Sequence, residues 1–398
     1  MKVKYDIAVV GGCGHIGLPL GLLIASRGRR VLLCDTDSAR VAAVRQGCMP
    51  FTEEGAQPVL EQELNKRLFV ADEPRAAIDA EGVIITVGTP VDEYLNPKYA
   101  PVLGLVDALA SGMSQGQHIV LRSTVFPGTS ARAAKLPSVL RSGVHVSFCP
   151  ERVVQGQAMR EIGSIPQIVS GATREARAWS RRLFEELGAP IVETGMLEAE
   201  LAKLSNNAWR YFQFAAINQL FMVAVEHGAD FKEVYRAMTS GYARAAGLPT
   251  PGFAAGPCLL KDTMQLAAFS RAEFPLGRSA VQVNEGLPNF IVNHLASTDG
   301  VRLEGAKVAL LGMAFKAESD DIRDSLSFKL AKLLRFQGAE VLCSDPYVKH
   351  PDFLPAEEVV KRAEIIIIST PHRAYRDLRI PGDRKVVDVW GLREGGDR

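Results

Sequence analysis

The run Ile7-Ala8-Val9-Val10-Gly11-Gly12-Cys13-Gly14-His15-Ile16-Gly17 constrains the fold of this chain more than any other stretch. A short apolar run of this kind suits a parallel strand buried on both faces. Gly12, Gly14 and Gly17 fit G-x-G-x-x-G, and a helical pattern follows from Leu18 to Ser26, stopped by Gly28. A second strand, Val31-Leu32-Leu33-Cys34, ends at Asp35. The glycines permit a tight turn, let the backbone approach a pyrophosphate and let the helix pack on the strand. The helix N-terminus then faces the phosphates. Asp35 lies about where a ribose-binding acid belongs, which favours NAD over NADP. The alternative is a glycine-rich βα turn that binds nothing. The order strand, glycines, helix, strand, acid weighs against it.

Further strand patterns continue the sheet. Gly82 to Val87 leads to Gly88-Thr89-Pro90, His118 to Leu121 leads to Arg122-Ser123-Thr124-Val125, and Val144 to Phe148 leads to Cys149-Pro150-Glu151-Arg152. Open α/β sheets bind ligands beyond the carboxyl ends of their strands. Thr89, Ser123, Thr124 and Glu151 therefore collect where a ligand would lie. Ser and Thr at such positions also cap helices, and for Thr124 both readings stand. Glu151, just after a strand-end proline, points to function.

Pro251-Gly252-Phe253-Ala254-Ala255-Gly256-Pro257-Cys258 packs turn-formers around one thiol, and Lys261-Asp262 follow in what reads as a helix start. A thiol at a helix N-terminus has its thiolate favoured by the dipole and the free N–H groups. That makes Cys258 a candidate nucleophile. The competing reading is an inert buried cysteine in a tight turn.

From about Glu198 the pattern turns helical and runs to roughly Glu226, long enough to span domains or supply a dimer surface. Lys203 and Asn207 are four residues apart and share a face. They could stabilise an oxyanion or form a surface pair beside Glu198 and Glu200. A second helix is expected near Phe231 to Thr239, and helices again from Lys261 to about Ala296. A short linker is expected near Ser297-Thr298-Asp299-Gly300.

The last quarter repeats the first. Val308 to Gly312 echoes Ala8 to Gly11, Val341 to Asp345 echoes Val31 to Asp35, and Ile365 to Pro371 echoes Val83 to Pro90. The repeat lacks G-x-G-x-x-G and carries Lys316 and Arg323 in its first loop, so a second dinucleotide is not expected. Fixed cations at a strand end suit a diphosphate or nucleotide. Salt bridges to Glu318, Asp320, Asp321 and Asp324 are the equal alternative.

With 46 Lys+Arg against 45 Asp+Glu, the net charge of +1 gives no sign of a nucleic-acid or membrane-surface binder. The six cysteines are scattered, without CxxC pairs or metal spacing, and imply a reducing compartment, no disulfide framework and no metal. The N-terminus runs straight into a strand pattern with no signal peptide, which points to the cytoplasm.

In this order the parts resemble the UDP-glucose/GDP-mannose dehydrogenase family over nearly the whole chain. The resemblance is carried by Gly12–Gly17, Gly88-Thr89-Pro90, Ser123-Thr124-Val125, Pro150-Glu151, Lys203 with Asn207, Cys258 with Lys261-Asp262, and Gly312–Arg323. It implies an α/β fold of two Rossmann-like domains joined by a central helical domain with a long helix, divided as 1–195, 196–300 and 301–398. It implies NAD-dependent oxidation of the C6 hydroxymethyl of a UDP-sugar to a carboxylate, with two NAD consumed, by a homodimer built on the central helices. Cys258 would be the nucleophile, Lys203 and Asn207 the oxyanion stabilisers. Asp262 and Glu151 would handle protons and water, and Thr124 would hold a water or hydroxyl. The cofactor set would be Gly12, Gly14, His15, Ile16, Gly17, Asp35, Arg40, Thr89, Thr124 and Arg323. The substrate set would be Glu151, Arg152, Val153, Lys203, Asn207, Arg244, Phe253, Gly256 and Lys316, with Arg244 often supplied by the partner subunit. The Pro150-Glu151-Arg152 form, Gln155 in place of a glutamate, and Val389-Trp390 in place of a sugar-binding arginine resemble the UDP-N-acetylhexosamine branch. Pro257 and Lys261-Asp262 depart from that branch.

Overall fold

The computed structural model describes residues 3–89, 91–92, 98–270, 273–297 and 299–393. Pro90 of the Gly88-Thr89-Pro90 segment and Thr298 of the expected linker lie outside them. The chain forms two compact units, 1–205 and 206–398.

The first unit is built on eight strands: β1 (Tyr5–Val10), β2 (Val31–Cys34), β3 (Leu68–Ala71), β4 (Ala80–Ile85), β5 (His118–Leu121), β6 (His145–Phe148), β7 (Gln167–Gly171) and β8 (Ile191–Glu193). Their order is β3-β2-β1-β4-β5-β6-β7-β8, parallel except for the antiparallel β6–β7 pair. The strands are apolar on both sides because helices cover both faces. The period-2 alternation sorts them: Ile7 and Val9 enter one core with Leu33 and Ile84, while Ala8 and Val10 enter the other with Leu32 and Val83. The helix Gly17–Ser26 lies close on β1 because Gly17 has no side chain; a Cβ there would sit 2.3 Å from the Gly11 carbonyl oxygen.

The second unit joins helices to a four-stranded parallel sheet, β9 (Lys307–Leu311), β10 (Glu340–Ser344), β11 (Ile365–Ile368) and β12 (Lys385–Val387), in the order β10-β9-β11-β12. That order copies β2-β1-β4-β5, so the echo in the sequence is an echo in topology. The echo reaches hydrogen bonds. Asp35 accepts from the Cys13 N–H at 2.9 Å, and Asp345 accepts from the Met313 N–H at 2.7 Å. The expected helical stretch from Lys261 onward is two helices, Leu259–Phe269 and Pro275–Ser297, the second opening on proline, which tolerates a first-turn position. The second packs Leu287, Ile291, Val292 and Leu295 into one core with Leu330 and Leu334 of the helix Leu326–Phe336. The expected linker is tied down at Asp299, which pairs with Lys385 at 3.0 Å. The long helix, Met196–Glu226, contains the boundary between the compact units. Among the described residues no helix is long and apolar enough to cross a membrane.

Candidate active site

In the first unit the glycine-rich turn fits a dinucleotide. At Gly14 a Cβ would meet only the Gly11 oxygen at 3.4 Å and an Arg40 guanidinium nitrogen at 3.8 Å, so the turn is open to an approaching group. No side chain caps the following helix at Ile16, which leaves its N-terminus to attract a phosphate. The Asp35 carboxylate accepts the Cys13 and Asp37 N–H groups and keeps a lone pair on each oxygen for ribose hydroxyls. Arg40 is paired with Asp37 at 3.3 Å. The His15 ring lies tilted against Phe51, 4.0 Å between centroids, and Gln155 lies 3.1 Å from its Nδ1.

The loops after β4 to β6 carry the expected polar residues. Thr89 donates its hydroxyl to the Thr124 carbonyl at 2.6 Å. Thr124 is not a helix cap; the next helix, Thr129–Ala134, is capped by Gly128. Its first N–H groups go instead to Glu200 of the long helix, which accepts from Gly128 at 2.6 Å and Ser130 at 2.8 Å. Burial pushes the Glu200 carboxyl up. Glu151 is buried and held by donors: it forms a close ion pair with Arg122 and accepts the N–H groups of Arg152 at 2.5 Å and Val153 at 2.6 Å. Arg122 is itself buried, bonded to the Cys149 carbonyl at 3.1 Å and Gln167 at 3.0 Å, under the Phe184 ring. The sequence reading missed its role, although a charge directly after an apolar strand was the available signal. Arg152 turns its guanidinium to the Pro166 carbonyl. The ammonium of Lys203, half-buried, makes no ion pair or hydrogen bond among the described residues.

The second unit holds the thiol. Cys258 is exposed and stands at the N-cap of the helix Leu259–Phe269, as expected. Cys13, Cys34 and Cys149 are buried, and burial pushes their thiols up to about 12, 12 and 11. Asp262, one turn into the helix, is buried and accepts the Asn207 side-chain amide at 2.6 Å. Asn207 is therefore not part of a surface pair. The Arg323 guanidinium is held high, first by its hydrogen bond to Asp321 at 2.6 Å and also by the nearby Cys258. Arg323 thus makes the salt bridge of the alternative reading, within the loop, and lies in the field of the thiol. Lys316 lies 6.0 Å from the Phe315 ring.

Two more residues of the expected substrate set lie in the thiol loop of the second unit. The Phe253 side chain is packed in the core with Leu287, Ile291 and Leu310, so it offers a ligand only its backbone. Gly256 is buried, donates its N–H to the Asp324 carbonyl at 3.2 Å and faces the Phe315 ring. Arg244 is exposed in the short helical turn Ala243–Ala245. Trp390 lies against Gly252 and donates its indole N–H to the Ser369 carbonyl at 3.0 Å. A groove of about 790 Å³ along Ser344–Pro346, Val348–Pro351 and Phe353–Glu357 contains none of the expected site residues. Among the described residues no cluster of His, Cys, Asp or Glu could hold a metal ion.

Comparison with known proteins bears on the family and the fold. Residues 5–188 match the NAD binding domain of the UDP-glucose/GDP-mannose dehydrogenase family, 197–286 its central domain and 309–392 its UDP binding domain. The chain is 29% identical to the UDP-N-acetyl-D-mannosamine dehydrogenase of Pyrococcus horikoshii over 384 residues, 94% of this chain and 90% of the relative. It is 28% identical to the NDP-N-acetyl-D-galactosaminuronic acid dehydrogenase of Ralstonia nicotianae, over 98% of this chain and 97% of the relative. Among solved structures, the UDP-D-ManNAc dehydrogenase of Pyrococcus horikoshii superposes with a TM-score of 0.89 at 27% identity, covering 98% of this chain and 96% of that one. A UDP-glucose dehydrogenase of Pyrobaculum islandicum superposes at 0.88 with 25% identity, covering 99% and 98%.

Proposed function

Because the chain belongs to the UDP-glucose/GDP-mannose dehydrogenase family of NAD-dependent nucleotide-sugar dehydrogenases, we propose that it oxidises the C6 hydroxymethyl of a UDP-N-acetylhexosamine, the manno form, twice, to the carboxylate. The observation that carries the double oxidation is the exposed Cys258 at a helix N-terminus, with Arg323 in its field and the Asp262–Asn207 pair one turn on. Gln155 and Trp390 support the acetylated sugar, as do the names of the relatives. The near-equal likeness to a UDP-glucose enzyme means the fold alone does not separate the two sugars.

NAD bound at the glycine-rich turn supplies the hydride acceptor for each oxidation. The protein does the rest. Removing a proton and a hydride from the alcohol leaves the C6 aldehyde. The Cys258 thiolate then adds to it, forming a C–S bond and an alkoxide that takes up a proton as the thiohemiacetal. The second oxidation gives the thioester, which water cleaves to release the acid, a proton and the thiolate. Lys203, unpaired and half-buried on the long helix, stabilises the developing oxygen charge together with the second amide N–H of Asn207. Asp262, oriented by Asn207, handles the proton and the water, and Thr124 holds a water or hydroxyl. The donors that surround Glu151 favour a role in shaping the loop Arg152–Val153 over one in proton transfer. An exposed working thiol suits a reducing compartment such as the cytoplasm.

The test is NADH release with UDP-N-acetylmannosamine, UDP-N-acetylglucosamine, UDP-glucose and GDP-mannose. Two NADH per sugar with UDP-N-acetylmannosamine is expected; a clear preference for UDP-glucose would overturn the sugar assignment. One NADH per sugar would reject the thioester route. Cys258→Ser should stop short of the acid.

A further inference from the structure

The loop that carries Lys316 and Arg323 owes its shape to a buried cluster outside the proposed chemistry. Glu318 sits in the left-handed region at φ +56°, which a residue with a side chain keeps only when its surroundings over-determine it. Its N–H donates to His372 Nδ1 at 3.0 Å. Its carboxylate accepts the Tyr347 hydroxyl at 2.7 Å and the Arg373 N–H at 2.9 Å. A backbone N–H can only donate, so Nδ1 of His372 carries the lone pair and the ring proton sits on Nε2. That Nε2–H faces Asp345 Oδ2 at 3.2 Å, the oxygen that also accepts the Met313 and Ala314 N–H groups. Burial works to raise Asp345, but His372 and the N–H groups of Ala314 and Tyr347 overcome it and hold the carboxyl low. The imidazole is fully buried, flanked by the rings of Tyr347 at 5.1 Å and Tyr375 at 5.7 Å. Arg373 lies 3.8 Å from the Glu318 carboxylate.

The other end of the same loop forms one wall of the thiol site. Phe315 donates its N–H to the Asp321 carbonyl at 2.9 Å, and Gly256 donates to the Asp324 carbonyl at 3.2 Å. A Cβ at Gly256 would sit 2.5 Å from the Phe315 ring. A displacement at Glu318 therefore propagates to Lys316, to Arg323 and to the approach to Cys258.

We propose that His372 is a positioning residue: its ring, accepting from the Glu318 N–H at Nδ1 and donating to Asp345 from Nε2, holds the 314–325 loop against the thiol loop. Removing that acceptor weakens sugar-nucleotide binding while the dinucleotide turn, in the other unit, is left intact. Only the part of this that concerns Lys316 and the substrate rests on the proposed function.

The test compares wild type, His372→Ala, His372→Asn and Tyr347→Phe by amide hydrogen exchange and by steady-state kinetics. Asn keeps an acceptor where Nδ1 stood. Losing a buried acceptor should raise exchange over residues 314–325 and the KM for the UDP-sugar by roughly tenfold in His372→Ala. The KM for NAD should stay level, and His372→Asn should recover most of the loss. Tyr347→Phe removes one Glu318 donor without touching the ring and should move the same amides more weakly, which covers a His372→Ala chain that fails to fold. Unchanged exchange over 314–325 in folded His372→Ala would overturn the proposal. Exchange needs no substrate, so a wild type that turns over no UDP-sugar would reject the proposed function while the role of His372 is still decided.

Discussion

At the scale of single residues, exposure separates Cys258 from every other cysteine but Cys48, and its helix N-terminus separates it from Cys48 as well; both features were legible in the turn-formers around it. The residues that hold the polar loops in place were not. Arg122 meets Glu151 from 29 positions away, and Glu200 meets Gly128 from 72. Nothing local in either stretch marks the partner. The Arg122–Glu151 pair carries a firm expectation for stability. Glu151→Ala would leave a buried guanidinium uncompensated and two backbone N–H groups without acceptors. A loss of about 3–5 kcal/mol in denaturant unfolding is expected. Glu151→Gln, which keeps an acceptor for the amides, should lose less and retain turnover within about tenfold if the residue shapes the loop. A fall in kcat of several hundredfold with the fold intact would return Glu151 to proton transfer. Lys203 is the opposite case. With no partner among the described residues to lose, Lys203→Ala should leave the melting temperature unchanged and lower kcat by about 10²–10³.

At the scale of elements, the strand–turn–helix units were readable because their periodicity is local, and the repeat of the first sheet in the last quarter was readable for the same reason. What the repeat is used for was only half visible. Asp345 occupies the place of Asp35, yet its carboxylate is filled by the N–H groups of Met313, Ala314, Tyr347 and Val348 and by His372. It has become an internal anchor. Its carboxyl is held below the usual range, so its stabilising effect is present above the unfolded value of about 3.9 and is lost as pH falls through the lower folded one. Acid unfolding of the second unit should therefore steepen below about pH 4, and Asp345→Asn should be less stable at neutral pH and show a flatter acid limb. The thiol loop is an element of the same kind. Gly256 holds φ +99° with the Phe315 ring where a Cβ would be. Gly256→Ala is expected to cost about 1–3 kcal/mol through backbone strain, before the clash with the ring. It should also cut kcat/KM for the sugar more than the KM for NAD. Thermal melts and initial rates check both.

At the scale of the whole molecule, Trp209, Leu220 and Val223 of the long helix are 62%, 45% and 47% exposed. At 100° per residue, Leu220 and Val223 return to within about 40° of Trp209, so the three form one apolar stripe. A stripe of this kind is a natural seam for a symmetric pair of chains. If two chains pair along it, the wild type should sediment as a dimer and Trp209→Glu as a monomer. Arg244 gives that pairing a sharper test, because its exposed position is compatible with a role at either chain's thiol. If it acts across the interface, Arg244→Ala and Cys258→Ser chains are each inactive alone but complement when mixed and allowed to exchange. Equal mixing makes half the dimers heterodimers, and each of these has one site with both residues intact. About a quarter of the wild-type rate should return. If Arg244 serves the thiol of its own chain, no heterodimer holds an intact site and the mixture stays as inactive as its parts.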